Sequence, residues 1–178
     1  MIKPRWAFFI SGQGSNMSAL LDSREDTHVA LVLSSNPSAP GLKRARREGI
    51  PTHVLDDKID WQSVLKLLRQ HRVDRIFLLG FMKIVPKTFL EEWSGIILNV
   101  HPSLLPSYPG LKSIERAYHD QHPQGATVHH VSSVVDAGKI ILQKKAVTPN
   151  GITLEACKER VHWCEYALVR KAMEKYYA

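Results

Sequence analysis

Short apolar runs alternate with helix-patterned segments through the first hundred residues, and this alternation constrains the fold more than any other feature. Trp6–Ile10, His28–Leu33, Thr52–Leu55, Arg75–Leu79 and Ile96–Val100 are each the length of a strand and too short for a buried helix. Between them lie helix signals: Ser15 to about Ser23, a basic segment opened by Pro40-Gly41 and closed at Gly49, and Trp61 to about Gln70 with Val64, Leu65, Leu67 and Leu68 apolar. A short helix starts near Pro86. Such alternation predicts an α/β class: a Rossmann-like, mostly parallel sheet flanked by helices. Beyond the fifth run the pattern changes. Thr127–Ser132 and Ile140–Val147 read as strands joined by a short loop containing Asp136-Ala137-Gly138, an antiparallel extension of the sheet. A long final helix begins near Thr153, with Cys157, Val161, Cys164 and Leu168 on one stripe.

At 178 residues the chain is expected to be a single domain, residues 1–178, able to bury a core without staples. The first apolar run is too short for a signal segment and no later run spans a membrane, so a cytoplasmic protein is expected. Cys157 and Cys164 lie about 10 Å apart on one helix face, too far for a disulfide. They read as small core residues. With no Cys-x-x-Cys or His-Glu-x-x-His pattern, no metal site is expected. The net charge of +7 suits nucleic acid or small polyanionic substrates. Its densest cluster, Lys43-Arg44-Ala45-Arg46-Arg47, reads as a solvated helix face, because no aromatic residues interleave with it.

The fifth run ends in Asn99-Val100-His101 and opens into PSLLPSYPG, where Pro102, Pro106 and Pro109 stop regular structure. A buried strand thus delivers an amide and an imidazole to a rigid loop at its carboxyl end, the ligand edge of open parallel sheets. Asn99 can donate to a developing oxyanion, and His101 can do so while changing charge near neutral pH. Ser103, an ordinary companion of Pro102, carries no nucleophile signal.

SGQGSN (Ser11–Asn16) follows the first strand and opens a helix. Its glycines permit a tight turn that aims helix-terminal amides at an anion, with Ser15 and Asn16 adding side-chain bonds. The segment lacks the Walker lysine and, with Met17 in place of a third glycine, departs from the dinucleotide fingerprint. A phosphate monoester is favoured over a dinucleotide. GFMKIVP (Gly80–Pro86) breaks the most apolar strand and reads as one wall of a flat apolar pocket. His129 and His130 alternate faces, so only one can reach the ligand edge. Asp136 sits between two apolar strands, where an acid is either solvated or paired. His119 and His122 fall in a polar helix end and loop and are assigned no role.

Together SGQGSN, GFMKIVP, NVHPSLLPSYPG and GATVHHVSSVVDAGKIILQ, in that order over nearly the whole chain, resemble the phosphoribosylglycinamide formyltransferases, folate-dependent enzymes of purine synthesis. The resemblance implies formyl transfer from the co-substrate 10-formyltetrahydrofolate to the amine of glycinamide ribonucleotide. It implies a nucleotide-phosphate half over about 1–100 and a folate and catalytic half over about 80–178. Asn99, His101 and Asp136 fall on the catalytic triplet; Gly14, Ser15 and Asn16 fall on the phosphate turn. Met82, Lys83, Ile84 and Val85 fall on the segment beside the folate, and Lys58 on a basic folate contact. His129 matches a supporting histidine, and Glu165 an acidic nucleotide contact joined by His162. Two positions depart from the pattern: Lys112 stands where a histidine is frequent, and His162 where Gln or Lys is common. The implied partners are small molecules, with no nucleic acid and no membrane, acting on a monomer or homodimer.

Related folate enzymes are the nearest alternatives. Formyltetrahydrofolate hydrolases carry an added amino-terminal domain for which this length leaves no room. Methionyl-tRNA formyltransferases carry an added carboxyl-terminal domain and usually Arg-Gly where Tyr108-Pro109-Gly110 stands. A sugar-nucleotide formyltransferase fits SGQGSN less well. From another class, the charge would suit a nucleic-acid-binding protein.

Overall fold

The computed structural model describes residues 3–22 and 28–176. Among them the elements run β1 (Trp6–Ile10), α1 (Ser15–Asp22), β2 (Val29–Ser34), α2 (Pro40–Arg47), β3 (Thr52–Val54), α3 (Trp61–Gln70), β4 (Arg75–Leu78), α4 (Lys87–Glu92), β5 (Ile96–His101), α5 (Ser113–His119), β6 (Gly125–His130), β7 (Ile140–Lys145) and α6 (Leu154–Lys175). The strands form a seven-stranded sheet in the order β3-β2-β1-β4-β5-β6-β7. Every expected strand is present, and the expected Rossmann-like, mostly parallel class with an antiparallel extension holds. The end of the first helix at Ser23 lies outside the described residues. The chain divides into two compact units, within Met1–Leu98 and within Asn99–Tyr176.

In the first unit β1 pairs in parallel with β2 and β4, and β2 with β3. Every residue of β1 is buried, as a central parallel strand covered on both faces requires. Trp6 tilts against Phe77, Phe9 meets the edge of Phe81, and Phe89 packs between Trp61 and Trp93. Such ring pairs contribute roughly 1 kcal/mol each beyond the area they bury. Asp60 caps α3 by accepting from the amides of Gln62 and Ser63. Pro40 starts α2, whose Leu42 and Ala45 are buried while Lys43, Arg46 and Arg47 are exposed. Arg44 pairs with Asp22 and Glu48, so the basic cluster is a surface helix face, as expected.

Gly14 has φ +70°, and a Cβ there would sit 3.0 Å from the Gly41 Cα. The turn before α1 therefore needs glycine twice over, for its left-handed backbone and for the close approach of α2.

The second unit takes up the chain at Asn99, within β5. Its β6 and β7 pair antiparallel, with an irregularity between Val128 and His129. The helix α6, capped by Thr153, packs on both strands and buries the expected stripe of Cys157, Val161, Cys164 and Leu168. Both cysteines are free. The strand β6 begins at Gly125, two residues before the expected start, and Val131 and Ser132 fall outside it. Glycine carries no strand signal, yet a Cβ at Gly125 would lie 2.4 Å from the Lys144 carbonyl oxygen. The close approach of β7, invisible in sequence, explains the shift. No helix among the described residues is long and apolar enough to cross a membrane.

Candidate active site

The two-residue period of β5 puts Asn99 and His101 on one face of the strand, with Val100 on the other. After His101 the proline loop is fastened to β6 and β7. Thr127 Oγ1 donates to the Ser103 carbonyl at 2.7 Å and accepts from the Leu105 amide, while Gln143 Nε2 donates to the Leu105 carbonyl at 2.9 Å. Ser103 donates its own hydroxyl proton to the Ser107 carbonyl at 2.6 Å. That bond leaves it structural, in keeping with its lack of a nucleophile signal.

Asp136 closes the cluster from the β6–β7 loop, in the left-handed region at φ +53° that Asp tolerates better than most residues. Its Oδ2 lies 3.2 Å from His101 Nδ1 and accepts the Gly110 amide at 2.8 Å. Its Oδ1 accepts from Asn99 Nδ2 at 3.3 Å and lies 3.5 Å from His129 Nε2. The side chains of His101 and Asp136 are each 8% exposed. Asn99, His101 and Asp136 are thus brought together with His129, while His130 lies on the opposite face and meets Tyr176.

Hydrogen bonds fix which atoms carry protons. His101 Nε2 faces the Tyr108 carbonyl at 3.0 Å, an acceptor only, so this nitrogen donates. Its Nδ1 faces the Asp136 carboxylate, so both ring nitrogens have acceptors. His129 Nδ1 donates to the His130 carbonyl at 2.8 Å, and its Nε2 lies 3.2 Å from Asn99 Nδ2 and 3.5 Å from Asp136 Oδ1. Burial pushes the Asp136 carboxyl up. Bonds from His129 and the Gly110 amide, together with the charge of His101 and His129, outweigh that and hold it below the usual aspartate range. It is a carboxylate at neutral pH.

In the first unit, Ser15 is exposed and Asn16 buried at the amino terminus of α1, behind the Gly14 turn. Ser11 Oγ pairs with Ser35 Oγ at 2.6 Å and accepts the Met82 amide at 2.9 Å, tying the segment after β4 to the end of β1. Met82 and Ile84 are 63% and 73% exposed, Lys83 is exposed and Val85 is buried. Lys58 is exposed between β3 and α3. In the second unit, His162 and Glu165 share one face of α6, with Nδ1 2.6 Å from Oε2. Glu165 is buried, and its hydrogen bond raises the His162 pKa above the ordinary histidine value against the opposing effect of burial.

A buried imidazole–carboxylate pair flanked by an amide is the apparatus of acyl-transfer chemistry, able to stabilise a developing oxyanion and to move a proton. The family model described as "Formyl transferase" matches residues 4–173. The chain belongs to the formyl transferase family. This formyl transferase is similar to the trifunctional purine biosynthetic protein adenosine-3 of Homo sapiens, 38% identical over 183 residues covering 97% of the chain. The chain spans only 18% of that protein's length. It is 34% identical to the phosphoribosylglycinamide formyltransferase of Bacillus subtilis (strain 168) over 173 residues, 91% of this chain and 89% of the relative. Its fold superposes on glycinamide ribonucleotide transformylase 1 from Geobacillus kaustophilus with TM-score 0.94 at 34% identity, over 99% of this chain and 100% of the other. The family resemblance carried by the four sequence motifs is borne out.

Sequence reasoning missed two backbone groups of this cluster. The Gly110 amide and the Tyr108 carbonyl hold Asp136 and His101, yet Ser107-Tyr108-Pro109-Gly110 reads only as a turn.

Proposed function

We propose that this formyl transferase moves the formyl group of 10-formyltetrahydrofolate to the amine of glycinamide ribonucleotide, as a cytoplasmic enzyme of purine synthesis. The cluster of Asn99, His101, Asp136 and His129 supports this reading most strongly. The amine attacks the formyl carbon, and its lone pair forms the new C–N bond while the carbonyl electrons move to oxygen. Asn99, with the Nδ2 hydrogen not given to Asp136, and protonated His101, with an Nε2–H shared with the Tyr108 carbonyl, donate to that oxyanion; each such donor contributes roughly 3 kcal/mol in a water-poor site. Collapse re-forms the carbonyl and breaks the bond to folate N10, which takes the proton lost by the amine. Asp136, a carboxylate at neutral pH, holds the His101 charge in place and relays that proton through water. No covalent bond to the enzyme is required.

To the turn at Gly14, Ser15 and Asn16 we assign the substrate phosphate, on the strength of its helix-terminal amides. To Glu165 with His162 we assign the rest of the nucleotide, and to Met82, Lys83, Ile84 and Val85, with Lys58, the folate. Asn16→Ala tests the substrate assignment. It is expected to raise KM for glycinamide ribonucleotide about tenfold, the loss of one charge-assisted hydrogen bond, with KM for the folate unchanged. Steady-state kinetics with each substrate varied in turn gives the answer. Equal KM for the nucleotide in both proteins refutes the phosphate assignment.

A further inference from the structure

Residues 108–112 form an unusual path. Tyr108, Gly110 and Lys112 have φ of +54°, +77° and +52°, so three residues in five are left-handed and two of them carry side chains. A non-glycine residue is uncommon in that region, and two within five residues need holding. The segment also supplies the two backbone groups that grip the reacting cluster: the Tyr108 carbonyl at His101 Nε2, and the Gly110 amide at Asp136 Oδ2. What imposes the path is one face of α5. Arg116 Nη1 donates to the Pro109 carbonyl at 2.8 Å and to the Leu111 carbonyl at 3.1 Å, the two peptide oxygens on either side of Gly110. Its guanidinium lies 5.4 Å from the centre of the Tyr108 ring. One helical turn later, Asp120 accepts the Tyr108 hydroxyl at 2.8 Å.

We infer that Arg116 is a positioning residue, whose guanidinium clamps the 108–112 loop so that its backbone holds His101 and Asp136 in register. Arg116 touches neither side chain and acts through the loop alone. A planar fork anchored on two carbonyls fixes the peptides around Gly110 in a way that a flexible ammonium does not. The consequence for catalysis rests on formyl transfer at this cluster.

The test uses the full-length protein with Arg116→Ala and Arg116→Lys, both at an exposed position. In R116A kcat is expected to fall roughly tenfold, with both KM values within about twofold of wild type. Asp136 is faced by His101, His129, Asn99 and the Gly110 amide. Loosening the last of these removes a contact that lowers its pKa, so the acid limb of kcat moves to higher pH by roughly half a unit. R116K falls between the two. Amide hydrogen exchange at Gly110 reads the clamp without turnover and is expected to speed up about tenfold in R116A. A kcat profile superimposable on wild type, or unchanged Gly110 exchange, overturns the inference. Wild-type protein that transfers no formyl group to glycinamide ribonucleotide would instead refute the proposed function, and Gly110 exchange would still decide the clamp.

Discussion

Replacing Asp136 with Asn is expected to lower kcat by roughly a thousandfold while leaving nucleotide affinity within about twofold of wild type. The amide matches the carboxyl in shape and can still accept the Gly110 N–H, so the loop keeps its anchor. What it loses is the negative charge 3.2 Å from His101 Nδ1 and the ability to take up a proton. In the proposed mechanism the imidazolium then has no counter-charge, and the relay from amine to folate nitrogen has no acceptor. A second signature follows from linkage. The Asp136 carboxyl is held below its ordinary range in the folded protein, so it contributes stability at neutral pH. That contribution fades as pH falls below the unfolded value of about 4 and through the lower folded one. Thermal melts against pH should accordingly show a gentler acid loss of Tm in D136N than in wild type. A kcat within about twofold of wild type would remove Asp136 from the mechanism.

Gly138→Ala should be the most damaging single-methyl change in the second unit. A Cβ there would lie 1.6 Å from the His130 carbonyl oxygen, far inside van der Waals contact and against backbone rather than a yielding side chain. The His130 carbonyl is itself the acceptor that orients His129, and the His130 amide bonds to the Lys139 carbonyl across the same close approach. Accommodating the methyl separates the two chain segments, moving His129 and the loop that carries Asp136. Overpacking of this kind costs about 1–3 kcal/mol in stability, and displacing a catalytic group by about 1 Å costs roughly a hundredfold in rate. Denaturant unfolding and kcat measured on one preparation give both figures. An alanine variant with wild-type stability and turnover would show that the approach at Gly138 is not required.

How much of this was legible in the sequence differs from one element to the next. Strands β1, β2, β4 and β5 announce themselves because buried parallel strands are continuous apolar runs. The pairing of Asn99 with His101 follows from the two-residue period alone, and the prolines beyond them mark where the strand stops. Asp136 could be singled out as an acid between apolar strands, but nothing local to it gives the partner on β5. The start of β6 was hidden because Gly125 serves a close contact with Lys144 rather than a strand propensity. Only the end of α5 near His119 was visible, since Lys112 at its N-cap supplies no capping side chain. The path of residues 108–112 was the least legible feature. Left-handed Tyr108 and Lys112 contradict local preference, and the contacts that overrule it come from Arg116 on α5 and Asp120 at its C-cap.

The most direct test of the account follows the folate absorbance as the purified protein is mixed with 10-formyltetrahydrofolate, with and without glycinamide ribonucleotide, alongside a His101→Ala variant. The account predicts deformylation only when the nucleotide is present, stoichiometric appearance of formylated nucleotide, and loss of roughly a thousandfold or more in the variant. Deformylation without the nucleotide, or turnover in His101→Ala equal to wild type, would contradict it.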